Sequence, residues 1–164
     1  VGKRIVLEAR VYVGGELEAD VELGGKALDN LVENAVRYSP EKTRVDLLVE
    51  REGDTLNISV TDQGAGIPEE EQARIFERFY RVDAARSRQT GGTGLGLSIV
   101  KHVMGQHGGP VSVQSVPGQG STFTLSLPIA DTEVSGSWGG SGRRGVYGIM
   151  VVAVTNPKRR YKPR

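Results

Sequence analysis

The run Thr55–Thr61 alternates without a break: Leu56, Ile58 and Val60 face one way, Asn57, Ser59 and Thr61 the other. Such alternation predicts a strand with one buried face. The turn Glu52-Gly53-Asp54 joins it to a second strand over residues 45–51. A strand pair with one apolar face needs a covering layer, and residues 27–38 supply it. Leu28, Leu31, Val32, Ala35 and Val36 recur at helical spacing and form one stripe. Ser39-Pro40 ends that helix, because the residue before proline avoids the helical region.

The remaining segments extend the pattern. Residues 4–9 read as an edge strand that 11–13 continue, broken at Gly14-Gly15. The stretch 17–26, with Gly24-Gly25, leads into the first helix. Residues 68–79 read as a helix with Glu69, Glu70 and Glu71 in the first turn, where the dipole favours acids. Residues 81–94 read as a mobile polar loop and 95–106 as a second long helix. Val111–Val116 and residues 121–127 form another strand pair across Pro117-Gly118-Gln119-Gly120. The order predicts a two-layer α/β sandwich: a mixed, mostly antiparallel sheet with helices on one face.

The 164 residues divide into a domain over 1–130 and a tail over 131–164. The first part carries 14 basic and 18 acidic side chains, the tail 7 and 2. An acidic body lacks the basic footprint of a nucleic-acid binder, so no nucleic-acid partner is expected. The tail, rich in glycine and arginine, has no helical period; it is read as disordered, with only 146–154 able to make a strand. There is no cysteine, which excludes a disulfide scaffold and a thiolate metal site. No apolar run approaches the ~20 residues that span a bilayer, and no signal-peptide pattern opens the chain; the lack of cysteine is compatible with a reducing cytoplasm. The start Val1-Gly2-Lys3 reads as a cut from a longer protein.

Four segments carry chemistry. The first helix has a second stripe, Asn30, Glu33, Asn34 and Arg37, opposite the apolar one. A solvated face looks the same, but two asparagines one turn apart are uncommon in a helix, and an amide oxygen suits a hard cation. The strand Thr55–Thr61 runs into Asp62-Gln63-Gly64-Ala65-Gly66-Ile67-Pro68. A carboxylate only accepts hydrogen bonds, so it pairs with the amino group of adenine and opposes the carbonyl of guanine. The glycines let a flat base approach the backbone, although an ordinary Asp-Gly turn has the same composition. Gly91-Gly92-Thr93-Gly94-Leu95-Gly96-Leu97 opens the second long helix and offers free N–H groups to an anion. It is neither the dinucleotide fingerprint nor the lysine-bearing P-loop. Gly118-Gln119-Gly120-Ser121-Thr122-Phe123 alone is a hairpin turn.

Together these segments resemble the ATP-binding domain shared by histidine kinases, DNA gyrase, the Hsp90 chaperone and the MutL repair protein. The N box resembles Asp29-Asn30-Leu31-Val32-Glu33-Asn34-Ala35 with Arg37-Tyr38-Ser39. The first glycine box resembles residues 62–68, the phenylalanine box Ile75-Phe76-Glu77-Arg78-Phe79-Tyr80-Arg81, the second glycine box residues 92–97, and the last box residues 118–123. The phenylalanine box and Gly94-Leu95-Gly96-Leu97 point to the sensor histidine kinases.

The resemblance implies a Bergerat-type ATP-binding fold and the cofactors ATP and Mg²⁺. It implies Asn34 as the Mg²⁺ ligand supported by Asn30, Arg37 at the phosphates, and Tyr38 lining the pocket. It implies Asp62 at the adenine amino group helped by Thr122, with Gly64, Gly66 and Ile67 shaping the base site. Arg81 would reach the γ-phosphate. Thr93, Gly94, Leu95, Gly96 and Leu97 would hold the phosphates, and Phe76 and Phe79 would anchor a lid. Asn34 and Arg81 are the expected catalytic residues. His102 and His107 lack the acidic neighbour of a phosphoacceptor histidine and are expected to be structural. The implied activity is transfer of the γ-phosphate to a histidine on an upstream dimerisation domain, then to a response regulator, with this domain alone a monomer. A non-catalytic nucleotide-sensing module and an anti-sigma-type serine kinase share the fold and stay open.

Overall fold

The computed structural model describes residues 6–13, 16–18, 20–24, 26–83, 91–106, 108–128 and 150–154. A six-stranded sheet forms one layer, in the order β2-β1-β4-β5-β7-β6. Its strands are β1 (Val6–Val13), β2 (Glu16–Glu18), β4 (Arg44–Glu52), β5 (Thr55–Thr61), β6 (Val111–Val116) and β7 (Gly120–Pro128). All neighbours run antiparallel except β1 and β4, which are parallel with Val6 opposite Arg44. A parallel pair needs a crossover, not a hairpin; here α1 (Lys26–Tyr38) lies in the connection.

Register makes one face apolar. Leu56, Ile58 and Val60 of β5 stand opposite Leu127, Leu125 and Phe123 of β7, and Val45, Leu47 and Val49 of β4 are buried on the same layer. Two helices cover it. α1 buries Ala27, Leu28, Leu31 and Ala35, while Val32 and Val36 are half-buried against the same core. A third helix, α3 (Gly96–Gln106), buries Val100, Val103 and Met104. Burying each of the larger side chains contributes about 1.5–3 kcal/mol, so the two stripes carry much of the stability of this layer pair.

Three expectations change. The helix expected over 68–79 is a single turn, α2 (Glu69–Gln72). The chain then proceeds by turns to Phe79, whose φ of 62° is incompatible with a continuing right-handed helix and whose N–H instead bonds Gly94 O at 2.8 Å. Second, residues 20–24, within the lead-in to the first helix, form strand β3 (Asp20–Gly24). Third, β3 pairs antiparallel with β8 (Met150–Val154), which lies inside the stretch read as disordered. Those five residues fall within 146–154, the one run of the tail expected to be able to make a strand. The rest of the tail, residues 84–90 of the expected loop, and His107 lie outside the described residues. No helix among the described residues is long and apolar enough to cross a membrane.

Candidate functional site

A cavity of about 1120 Å³ opens between α1, the loop 62–68, residues 80–83 and the start of α3. The polar stripe of α1 faces it: Asn30, Glu33, Asn34 and Arg37 all line the wall. One helix thus feeds its apolar stripe to the core and its polar stripe to the cavity.

At one end lies Asp62, only 6% exposed. Its Oδ1 accepts from Gly64 N–H at 2.8 Å and from Ser121 N–H at 3.3 Å. Both bonds fall on the same oxygen, so Oδ2 stays available to a donor in the cavity. Burial pushes the carboxyl above its usual range, and the two backbone N–H groups partly offset this. The loop after Asp62 is riveted to the β6–β7 hairpin. Gly118 N–H donates to Ala65 O at 2.6 Å. Gly66 takes φ 73° and lies so close to the Val116 carbonyl that a Cβ there would collide with it. Close contact and positive φ together demand glycine.

At the other end two guanidinium groups converge. A Cβ placed on Gly92 would lie 2.9 Å from Arg37 Nη1 and 3.2 Å from Arg81 Nη2. Beside them α3 begins at Gly96, where a Cβ would be 3.4 Å from Asn30 Oδ1. Asn30 donates its amide N–H to Lys26 O at 2.9 Å, which leaves that Oδ1 directed at the helix start. The unpaired N–H groups of a helix start and two arginines make this end an anion site. Among the described residues no group of three or more His, Cys, Asp or Glu could hold a metal. The donors present, the amides of Asn30 and Asn34, suit a Mg²⁺ that keeps waters and arrives on substrate phosphates.

Of the expected positions, Asn30, Asn34, Arg37, Tyr38, Asp62, Gly64, Gly66, Ile67, Arg81, Thr93, Gly94, Gly96 and Leu97 line the cavity; Leu95 and Thr122 do not. Leu95 precedes α3, its carbonyl taken by Ile99 N–H and the Ser98 hydroxyl. Thr122 lies on the opposite face of the sheet, its hydroxyl 2.9 Å from that of Thr61. Its neighbour Ser121, 6% exposed, lines the cavity instead. Strand period required this: Phe123, Leu125 and Leu127 face the core, so Ser121 shares their face and Thr122 cannot. Glu33 and Tyr80, outside the expected site residues, also line the wall. Phe76 packs edge-on against Phe123, with ring centroids 6.2 Å apart, whereas Phe79 is 66% exposed. His102 sits exposed on α3.

Known proteins give the same picture. The family described as histidine kinase-, DNA gyrase B-, and HSP90-like ATPase matches residues 19–131. The sensor-like histidine kinase SenX3 of Mycolicibacterium smegmatis is 57% identical over 102 residues, 62% of this chain and 27% of SenX3. The sensor histidine kinase WalK of Bacillus subtilis is 43% identical over 119 residues, 71% of this chain and 20% of WalK. The chain therefore spans about a quarter or less of the length of these relatives. Among solved structures, the mycobacterial sensor histidine kinase MprB superposes with a TM-score of 0.60 at 30% identity, covering 76% of this chain and 81% of that one. Full-length ShkA in complex with AMPPNP also gives 0.60 at 30% identity, over 77% of this chain and 26% of ShkA. The boxes, the sheet and these likenesses agree: the chain belongs to the histidine kinase-, DNA gyrase B- and HSP90-like ATPase family, as an ATP-binding domain of the histidine-kinase kind.

Proposed function

We propose that the domain binds Mg²⁺–ATP in this cavity and donates the γ-phosphate to a histidine on a separate dimerisation domain. One observation carries the reading: a buried, acceptor-only carboxylate at one end of a single cavity faces two converging arginines and a glycine-rich helix start at the other. Such a cavity is polarised for a ligand with a hydrogen-bond donor at one end and polyphosphate at the other.

Asp62 accepts from the adenine amino group, with Ser121 rather than Thr122 beside it. Gly64, Gly66 and Ile67 let the base lie flat, and Tyr38 closes the side of the pocket. Arg37, Thr93, Gly94, Gly96 and Leu97 hold the phosphates. Asn34, supported by Asn30, ligates Mg²⁺, and Arg81 reaches the γ-phosphate. The metal, when bound, neutralises phosphate charge. Phosphoryl transfer then depends chiefly on positioning and on charge stabilisation by Arg81, and an attacking imidazole needs no strong base from this domain. In the parent protein the histidine would belong to an upstream dimerisation domain and the final acceptor would be a response regulator.

Incubating the chain with γ-labelled ATP, Mg²⁺ and a separately supplied histidine-bearing dimerisation domain tests this. Acid-labile label on that histidine, absent with Arg81→Ala, is the expected result. Tight ATP binding without any transfer would instead favour a non-catalytic nucleotide sensor, and label on serine would favour a serine kinase.

A further inference from the structure

One hydroxyl outside the assigned site sits at the centre of a hydrogen-bond relay that ends at Ser121, on the cavity wall beside Asp62. Ser115, on β6, receives Ile67 N–H on Oγ at 2.8 Å, lies 2.9 Å from Gly120 O, and lies 2.8 Å from Ser121 Oγ. Gln72 of α2 locks this strand to the loop, donating from Nε2 to both Ile67 O and Ser115 O at 3.0 Å. A serine has one proton to give and two lone pairs. The carbonyl of Gly120 can only accept, and Ile67 N–H can only donate. The arrangement that satisfies every contact has Ser115 donating to Gly120 O and Ser121 donating to Ser115.

The consequence falls on Ser121. With its proton held by Ser115, its oxygen offers only lone pairs to the cavity beside Asp62. The geometry points to Ser115 as a positioning residue that fixes Ser121 as a hydrogen-bond acceptor and so sharpens selection for a 6-amino purine nucleotide over a 6-oxo one. This rests on the base lying at Asp62, as proposed above. A 6-amino group has a donor for each oxygen. A 6-oxo group meets acceptors at both and leaves buried groups unpaired, which is costly. Neither Ser115 nor Gln72 lines the cavity, so Ser115 acts through Ser121 and not by touching the ligand.

The readout is the ratio of affinities for ATP and inosine triphosphate, measured on the full chain by calorimetry. A merely structural role for Ser115 would weaken both ligands alike. In Ser115→Ala the Ser121 proton is released and can turn toward a 6-oxo group, so the ratio should fall by about tenfold. Ser115→Thr, which keeps the hydroxyl, should restore it. If Ser115→Ala does not fold, Ser121→Ala must lower the ratio by a similar factor. An unchanged ratio in folded Ser115→Ala, or in Ser121→Ala, overturns the inference. Asp62→Asn separates the two levels: if it abolishes the preference while Ser115→Ala does nothing, only this inference fails; if neither changes the ratio, the base assignment fails with it.

Discussion

Replacing Asp62 by asparagine changes one atom of the site and should have opposite effects on binding and on stability. Asparagine keeps an acceptor oxygen where Gly64 N–H and Ser121 N–H converge on Oδ1. Turning the amide over would set its NH₂ against both of those donors, so the NH₂ is pinned toward the cavity. There it faces the adenine amino group, donor against donor. The lost hydrogen bond to a charged acceptor is worth roughly 1.5–3 kcal/mol, and the unpaired buried donors cost roughly 1–3 kcal/mol more. At about 1.4 kcal/mol per decade, ATP affinity should drop by roughly 10²–10⁴-fold. The fold should not suffer. Burial raises the Asp62 carboxyl above its usual range, so the folded state resists its ionisation. Its contribution to stability is complete below the unfolded value and is lost as pH rises through the folded one. The neutral amide escapes that loss. Asp62→Asn should therefore melt at or above the wild-type temperature at neutral pH, its advantage growing as pH rises through the window just above the normal carboxylate range. Calorimetric titration with ATP and thermal melts between pH 4 and 8, a range of roughly normal carboxylate titration and above, read both effects. ATP binding within threefold of wild type, about 0.7 kcal/mol, in a folded Asp62→Asn would refute the reasoning.

Further perturbations separate the other parts. Asn34→Ala should remove most of the Mg²⁺-dependent gain in ATP affinity while leaving metal-free binding within about threefold, as titrations with and without a chelator would show. Arg81→Ala should erase the preference for ATP over ADP, about tenfold or more, because its guanidinium is assigned to the γ-phosphate; parallel titrations with the two nucleotides check this. Gly66→Ala combines a strained φ with a collision on the Val116 carbonyl, and denaturant unfolding should report a loss of at least about 2 kcal/mol. Leu31→Ala, at a position 1% exposed on the core stripe, should cost about 2–5 kcal/mol in the same assay without changing the ATP-to-GTP ratio.

The sequence made the site legible where a local period carries the information. The two stripes of α1 followed from helical spacing alone, and the cavity wall is the polar one. The β4–β5 and β6–β7 pairs followed from alternation and turn residues. What escaped depends on contacts distant in sequence or on conformations that composition does not signal. Phe79 leaves the helical region because Gly94 O, fifteen positions along the chain, takes its N–H. The β3–β8 pair joins segments more than a hundred positions apart, beyond the reach of any periodicity. The exchange of Thr122 for Ser121 is different: period two from Leu127 backwards puts Ser121 on the core-facing side of β7 and Thr122 on the other, a pattern the sequence already carries. Leu95 sits between cavity-lining neighbours without itself lining the wall, its N–H on the Thr93 hydroxyl and its carbonyl in the first turn of α3.

The central claim is that this cavity selects an adenine nucleotide, and one titration addresses it: wild-type chain against ATP and GTP, each with Mg²⁺, at one salt concentration. The account predicts saturable binding of ATP and a GTP affinity weaker by at least about a hundredfold, because the guanine carbonyl would face the Asp62 carboxylate. Equal affinity for the two, or no binding of ATP by the folded chain, would contradict it.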